Sequence, residues 1–151
     1  MIYTITLNPA LDYIISLKKL VANEINTSTS EYILPGGKGI NVSIILKRLD
    51  VESVVLGFVS GFTGMEIQSL VEDEKIRTDF INLESGHSRI NVKILEDEKE
   101  TAINSKGPLV DNKSIEKLYQ KLNNLKENDI LVLSGSIPKG IKEDIYEEIC
   151  E

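Results

Sequence analysis

The chain has 151 residues, 41% of them apolar, and its 24 acidic against 17 basic side chains give a formal net charge of −7. That length and apolar share allow one domain with a real core and speak against a disordered chain. The acidic balance argues against a binder of nucleic-acid backbone, which needs a basic face, yet leaves room for one small anion held by local cations and backbone amides.

The single cysteine, Cys150, is too few for a disulfide framework or a cysteine-based zinc site and suits a reducing cytoplasm. The opening Met1-Ile2-Tyr3-Thr4-Ile5-Thr6-Leu7 has neither the basic start nor the long apolar stretch of a signal peptide. No apolar run approaches the ~20 residues of a membrane helix. A cytoplasmic location, with no membrane and no nucleic acid as partner, is expected.

In chain order, Ile2 to Leu7 reads as a buried strand stopped by Asn8-Pro9. The stretch from Tyr13 to Leu34 is irregular, with short extended pieces expected around Asn23 to Ser30. Pro35-Gly36-Gly37-Lys38-Gly39 precedes a helix from about Ile40 to Leu49, apolar on most sides and therefore expected under or between layers. Val54 to Val59 is the next strand. After Gly61-Phe62-Thr63-Gly64 a second helix runs to about Lys75, with Thr63 as its expected N-cap. Asp79 to Leu83, Arg89 to Leu95 and Glu100 to Asn104 are short stretches that read as an inserted antiparallel sheet. Strict alternation puts Arg89, Asn91 and Lys93 on one strand face, with Glu96 to Lys99 as the hairpin turn. Ser114 to Lys126 is helical, Ile130 to Leu133 is a buried strand, and a last helix begins near Lys142 and is still running at Cys150-Glu151, which suggests that sequence is missing.

Strands alternating with helices imply a mostly parallel sheet flanked by helices, and ligands in such sheets bind at the carboxyl ends of strands. Asn8, Gly57 to Gly64 and Ser134 to Pro138 all fall there. Gly36-Gly37-Lys38-Gly39-Ile40-Asn41 is the strongest local signal: glycines admit close backbone approach, a helix N-terminus favours anions, and Lys38 adds a charge with Asn41 one turn on. The Walker A spacing is absent. Each feature also has a plain structural reading. The glycine run is what a tight connection looks like, Asp12 can cap a turn, Arg89 can be solvated, and Ser134 and Ser136 can serve the turn before Pro138. His87 reads as a surface residue and Cys150 as a small apolar one.

Taken together, the motifs resemble a known family. Gly36-Gly37-Lys38-Gly39-Ile40-Asn41-Val42 resembles the first motif of the PfkB sugar kinases. Leu7-Asn8-Pro9-Ala10-Leu11-Asp12 is similar to the start of that family's 1-phosphofructokinase and tagatose-6-phosphate kinase branch. Ser88-Arg89-Ile90-Asn91-Val92-Lys93 resembles the branch's Thr-Arg-x-Asn-x-Lys, and Ser134-Gly135-Ser136-Ile137-Pro138 its Ser-Gly-Ser-Leu-Pro turn. The resemblance implies a ribokinase-like α/β fold. It also implies a sugar-phosphate site in which Asp12, Gly36, Gly37 and Asn41 meet the sugar, Lys38 lies in the same loop, and Arg89 and Ser136 reach the phosphate.

The same resemblance implies a small β-lid from segments of about 12–34 and 88–105, which closes over the sugar and can pair between subunits. It implies phosphorylation of fructose 1-phosphate to fructose 1,6-bisphosphate by ATP with magnesium, with tagatose 6-phosphate as the rival acceptor. A non-catalytic sugar-phosphate-binding or assembly module is the alternative from another class. Thr101-Ala102-Ile103-Asn104 departs from the branch's Thr-Glu-Ile-Asn, so any role of that glutamate is lost. The family's Gly-Ala-Gly-Asp, which carries the catalytic base, has no counterpart in these residues. The chain is accordingly expected to be the N-terminal half of one kinase domain, inactive alone, with an uncovered sheet edge and the nucleotide held mainly elsewhere.

Overall fold

The computed structural model describes all 151 residues. In chain order the elements are β1 (Ile2–Thr6), β2 (Ala10–Leu17), β3 (Ser30–Gly36), α1 (Lys38–Arg48), β4 (Ser53–Val59) and α2 (Gly61–Asp73). They continue with β5 (Arg77–Thr78), β6 (Ile81–Asn82), β7 (Arg89–Glu96), β8 (Lys99–Asn104), α3 (Asn112–Leu122), β9 (Ile130–Leu133) and α4 (Ile145–Cys150).

Two sheets result. The first is parallel throughout, in the order β5-β4-β1-β9, with β6 also on β4. Helices cover both of its faces. On one, Ile40, Val55, Ile67, Val71 and Ile76 pack with Leu11 beneath α1 and α2. On the other, Ile5, Leu7, Leu56, Phe58, Leu118 and Ile145 pack beneath α3 and α4. Strand alternation explains the division, because β1 turns Ile5 to the second cluster and Thr4 and Thr6 to α1. The second sheet, β3-β2-β7-β8, is mixed: β2 runs antiparallel to β3 but parallel to β7, and β8 returns antiparallel to β7.

Several expectations change. Residues 79–83 do not belong to the antiparallel block: β5 and β6 form one interrupted edge strand beside β4, bridged by Asp79 N donating to Val55 O at 2.8 Å. A strand that follows a crossover helix returns parallel, and α2 is that helix. The irregular early region holds two long strands instead of short pieces, and residues 23–29 lie in the connection between them. Thr63 lies inside α2 and its hydroxyl donates to Ser88 O at 2.8 Å, while Ser60 takes the N-cap position. Helix α1 buries only Gly39, Ile40 and Ser43, leaving Ile45 and Leu49 exposed. Strand β9 is only partly buried, because it pairs with β1 on one side and with nothing on the other.

Beneath α1 the polar side of β1 is satisfied internally. Thr4 Oγ1 and Ser43 Oγ lie 2.8 Å apart, and Ser53 Oγ donates to Ser43 Oγ at 2.9 Å, all three residues being buried. Ser43→Ala strands two buried hydroxyls, so it should lower unfolding stability by about 1–3 kcal/mol. Chemical denaturation checks this; an unchanged midpoint would show that Thr4 and Ser53 pair without the bridge.

Candidate substrate site

The carboxyl end of β1, the N-terminal end of α1, the inner face of β2-β7-β8 and the turn after β9 enclose a cleft of about 490 Å3. Its lining is Thr6, Asn8, Asp12, Gly37, Lys38, Asn41, Arg89, Asn91, Lys93, Asn104, Gly135 and Ser136, none of them an apolar side chain. Three cations and one carboxylate give a local excess of two positive charges in a chain of net charge −7. Such a wall suits a small, hydroxylated anion better than an apolar ligand.

The α1 end is set by backbone conformation. Gly37, the N-cap, has φ 135°, a left-handed value that glycine adopts without strain. It has no side chain to cap the helix, and β1 supplies the cap: Thr6 Oγ1 accepts the Ile40 N–H at 3.0 Å. Asn41 follows one turn later, its N–H bonded to Gly37 O at 2.9 Å, so Gly37, Lys38 and Asn41 meet the cleft from one helix end. The turn after β9 stands beside it and is braced by Tyr146, whose hydroxyl donates to Gly135 O at 3.2 Å. Burial pushes the Tyr146 hydroxyl above its ordinary pKa, which keeps it a donor.

The sheet wall depends on register. Pairing β2 with β7 sets Ala10 against Arg89, Asp12 against Asn91 and Ile14 against Lys93, so the polar residues of both strands share one face. Asn91 Nδ2 donates to Asp12 Oδ1 at 2.9 Å, and Lys93 Nζ lies 3.0 Å from Asp12 Oδ2. Both carboxylate oxygens are thereby held. Arg89 Nε donates to Asn8 O at 3.0 Å, which aims the rest of the guanidinium. Burial pulls the Arg89 pKa down and the Asp12 charge pushes it back, and an arginine stays charged through such changes. Lys93 stands opposite Ala102 on β8, and its ammonium lies on Asp12.

Of the residues singled out from sequence, Asp12, Gly37, Lys38, Asn41, Arg89 and Ser136 all line the cleft. Gly36 does not; it lies behind Asp12, where an added Cβ would come 2.5 Å from Oδ1. Sequence reading passed over Thr6, Asn104 and Gly135. Asn91 and Lys93 were visible as one strand face with Arg89, and that alternation could have included them. Asp12 is the cleft's only carboxylate, with both oxygens engaged, and no cluster of three or more His, Cys, Asp or Glu side chains could hold a metal. The residues present therefore do not form a magnesium site.

Gly36→Ala tests how firmly Asp12 is placed, since the new methyl must displace a carboxylate fixed on both oxygens. It should destabilise the protein by about 1–3 kcal/mol, and Asp12→Ala in the same chain should recover most of that loss. Additive losses in the double-mutant cycle would show that the two positions do not press on each other.

The model of the pfkB family carbohydrate kinases matches residues 6–151. A 1-phosphofructokinase of Bacillus subtilis is 44% identical over 151 residues, which is all of this chain and 49% of that protein. A D-tagatose-1-phosphate kinase of Bacillus licheniformis is 38% identical over the same span, again 49% of its own length. A solved structure of a phosphofructokinase from Staphylococcus aureus superposes with a TM-score of 0.91 at 42% identity, covering 99% of this chain and 48% of that one. The chain thus spans about half the length of the relatives it matches. With the motif order, the parallel sheet and the polar cleft in agreement, this chain belongs to the PfkB family of carbohydrate kinases.

Proposed function

We propose that this chain is the N-terminal part of a single kinase domain that phosphorylates fructose 1-phosphate with ATP and magnesium, giving fructose 1,6-bisphosphate. The observation that carries the reading is the polarity of the cleft. Arg89, Lys38, Ser136 and the start of α1 offer donors and positive charge, and Asp12, on the same wall, offers acceptor lone pairs. A ketose phosphate asks for both, an anion needing donors and hydroxyls needing acceptors. Arg89 and Lys38 hold the phosphate, the guanidinium giving paired hydrogen bonds. Lys93, neutralised by Asp12, takes no part in anion binding.

The nucleotide and metal belong, on this reading, to the part of the protein beyond these residues, as does the base that takes the acceptor proton. What this chain contributes is position, which is much of what phosphoryl transfer requires of a protein. The four-stranded sheet is the lid, excluding water as it closes over the sugar. The relatives named above support an acceptor phosphorylated at carbon 1; tagatose 6-phosphate is the rival within the family, and a non-catalytic binding module is the rival outside it. The protein works in the cytoplasm, and no helix is long and apolar enough to cross a membrane.

Two copies pair through the outer face of the lid. There Leu11, Tyr13, Ile33, Phe62 and Ile90 line a largely apolar groove of about 570 Å3 that also takes in Glu31 and Tyr32 of the uncovered edge strand β3. An apolar surface next to an open strand edge is a template for a matching copy. Ile33→Lys should shift the protein to monomer in sedimentation experiments, and an unaltered protein that is already monomeric at micromolar concentration would overturn the pairing.

The functional reading is tested by steady-state kinetics of the full-length protein with fructose 1-phosphate and tagatose 6-phosphate. Fructose 1-phosphate should be preferred, and Arg89→Ala should raise its KM roughly 10–100-fold through loss of charge-assisted hydrogen bonds. The chain of 151 residues alone should show no turnover. Absence of turnover by the full-length protein with either sugar, or an unchanged KM in the variant, would overturn the assignment.

A further inference from the structure

Asn91 is only 7% exposed and sits mid-strand in β7, beside Asp12 on β2 and Asn104 on β8 in the pairing register. Its Nδ2 is satisfied by Asp12. Its Oδ1 is buried with no hydrogen-bond partner, one of two such side-chain atoms in the chain, the other being Ser134 Oγ. A buried acceptor left without a donor is a cost that native proteins rarely carry without a reason. None of the neighbouring donors reaches it: Lys93 Nζ lies on Asp12 Oδ2, Arg89 Nε on the Asn8 carbonyl, and Asn104, opposite on β8, makes no bond to it. Asn91 lines the cleft, so the occupant of the cleft is where the missing donor can come from.

The chemistry of that donor is constrained. Asp12 and the Asn91 carbonyl present two acceptors side by side, and an ionised phosphate, itself an acceptor, has nothing to give them. Neighbouring hydroxyls of a polyol do. We propose that Asn91 is a positioning and specificity-determining residue of this site, fixing Asp12 through Nδ2 and accepting a hydroxyl of the bound sugar through Oδ1. The inference rests on the reading of the cleft as a ketose-phosphate site and deepens it. It orients the ligand, with hydroxyls against Asp12 and Asn91 and the phosphate against Arg89 and Lys38. It also makes the unliganded site incomplete, since the sugar supplies the one hydrogen bond that the strand face lacks.

The test measures, by calorimetry on the full-length protein, the affinity for fructose 1-phosphate and for analogues each lacking one ring hydroxyl. Unaltered protein, Asn91→Ala and Asn91→Ser are compared, with thermal unfolding recorded for each so that the serine variant serves if the alanine one is poorly folded. Asn91→Ala should weaken fructose 1-phosphate about tenfold or more, the scale of one buried hydrogen bond. For one analogue the loss should be several-fold smaller than for the others, because there the absent hydroxyl and the absent acceptor are the same contact and only the loss of the amide on Asp12 remains. An equal loss for every analogue would mean that Asn91 acts only through Asp12 and would overturn the proposal, as would no loss at all. Should the unaltered protein bind no ketose phosphate, the functional reading falls too; should it bind while both variants match it, this inference alone falls.

Discussion

The site exists because β2 and β7, far apart in sequence, pair in parallel over eight residues in one register. Side chains alternate along a strand, so a slip of one residue would turn Arg89, Asn91 and Lys93 away from Asp12 and bring apolar residues into the cleft. The register is held from several directions. Strand β3 pairs along nearly the whole of β2, and β8 along β7 from Asn91 to Glu96. Leu11 anchors the outer side of β2 in the core beneath α2. The ion pair and the amide contact at Asp12 then reward the correct alignment, since only in that register do they form.

A parallel pair needs a long connection, and here the connection between β3 and β7 contains α1, β4, α2 and the β5–β6 edge. The four-stranded sheet is therefore split in sequence around the α/β body, with Gly36 at the end of β3 and Gly37 capping α1. The cleft's polar groups consequently come from two separate layers, Lys38 and Asn41 on a helix end and Asp12, Arg89 and Asn91 on a sheet face.

Much of this was legible in the residues. The alternation of Arg89, Asn91 and Lys93 announced a polar strand face, and the glycine run before Ile40 announced a helix end, which meets the cleft. What was not legible depended on pairing partners. Thr6 looks like any β-branched strand residue until Ile40 is seen to use its hydroxyl as a cap. Asn104 enters the cleft only because β8 folds back beside Asn91. Residues 79–83 carry the alternation of a hairpin strand, yet the crossover through α2 delivers them to a parallel edge. Helix α1 shows the reverse failure: its composition suggested burial all round, but Ile45 and Leu49 are exposed because this chain places nothing over that side.

The charge pattern connects these points. An acidic protein can bind an anion if its few cations near the site are not consumed by its carboxylates, and the cleft shows how the two are kept apart. Asp12 draws in Lys93, with Asn91 on its other oxygen, and that engagement confines the negative charge to the sheet side. Arg89 is steered the other way by a backbone carbonyl, which fixes its direction without cancelling its charge. Were Arg89 and Lys93 to exchange partners, the guanidinium would lie on Asp12 and the flexible ammonium would face the anion as a point charge. The forked, directional contact would then be lost from the end of the cleft where a phosphate needs it. The strand order Arg89-Asn91-Lys93 thus separates the two cations along β7: Lys93 is held on Asp12, while Arg89, opposite Ala10, leaves its remaining donors to the cleft.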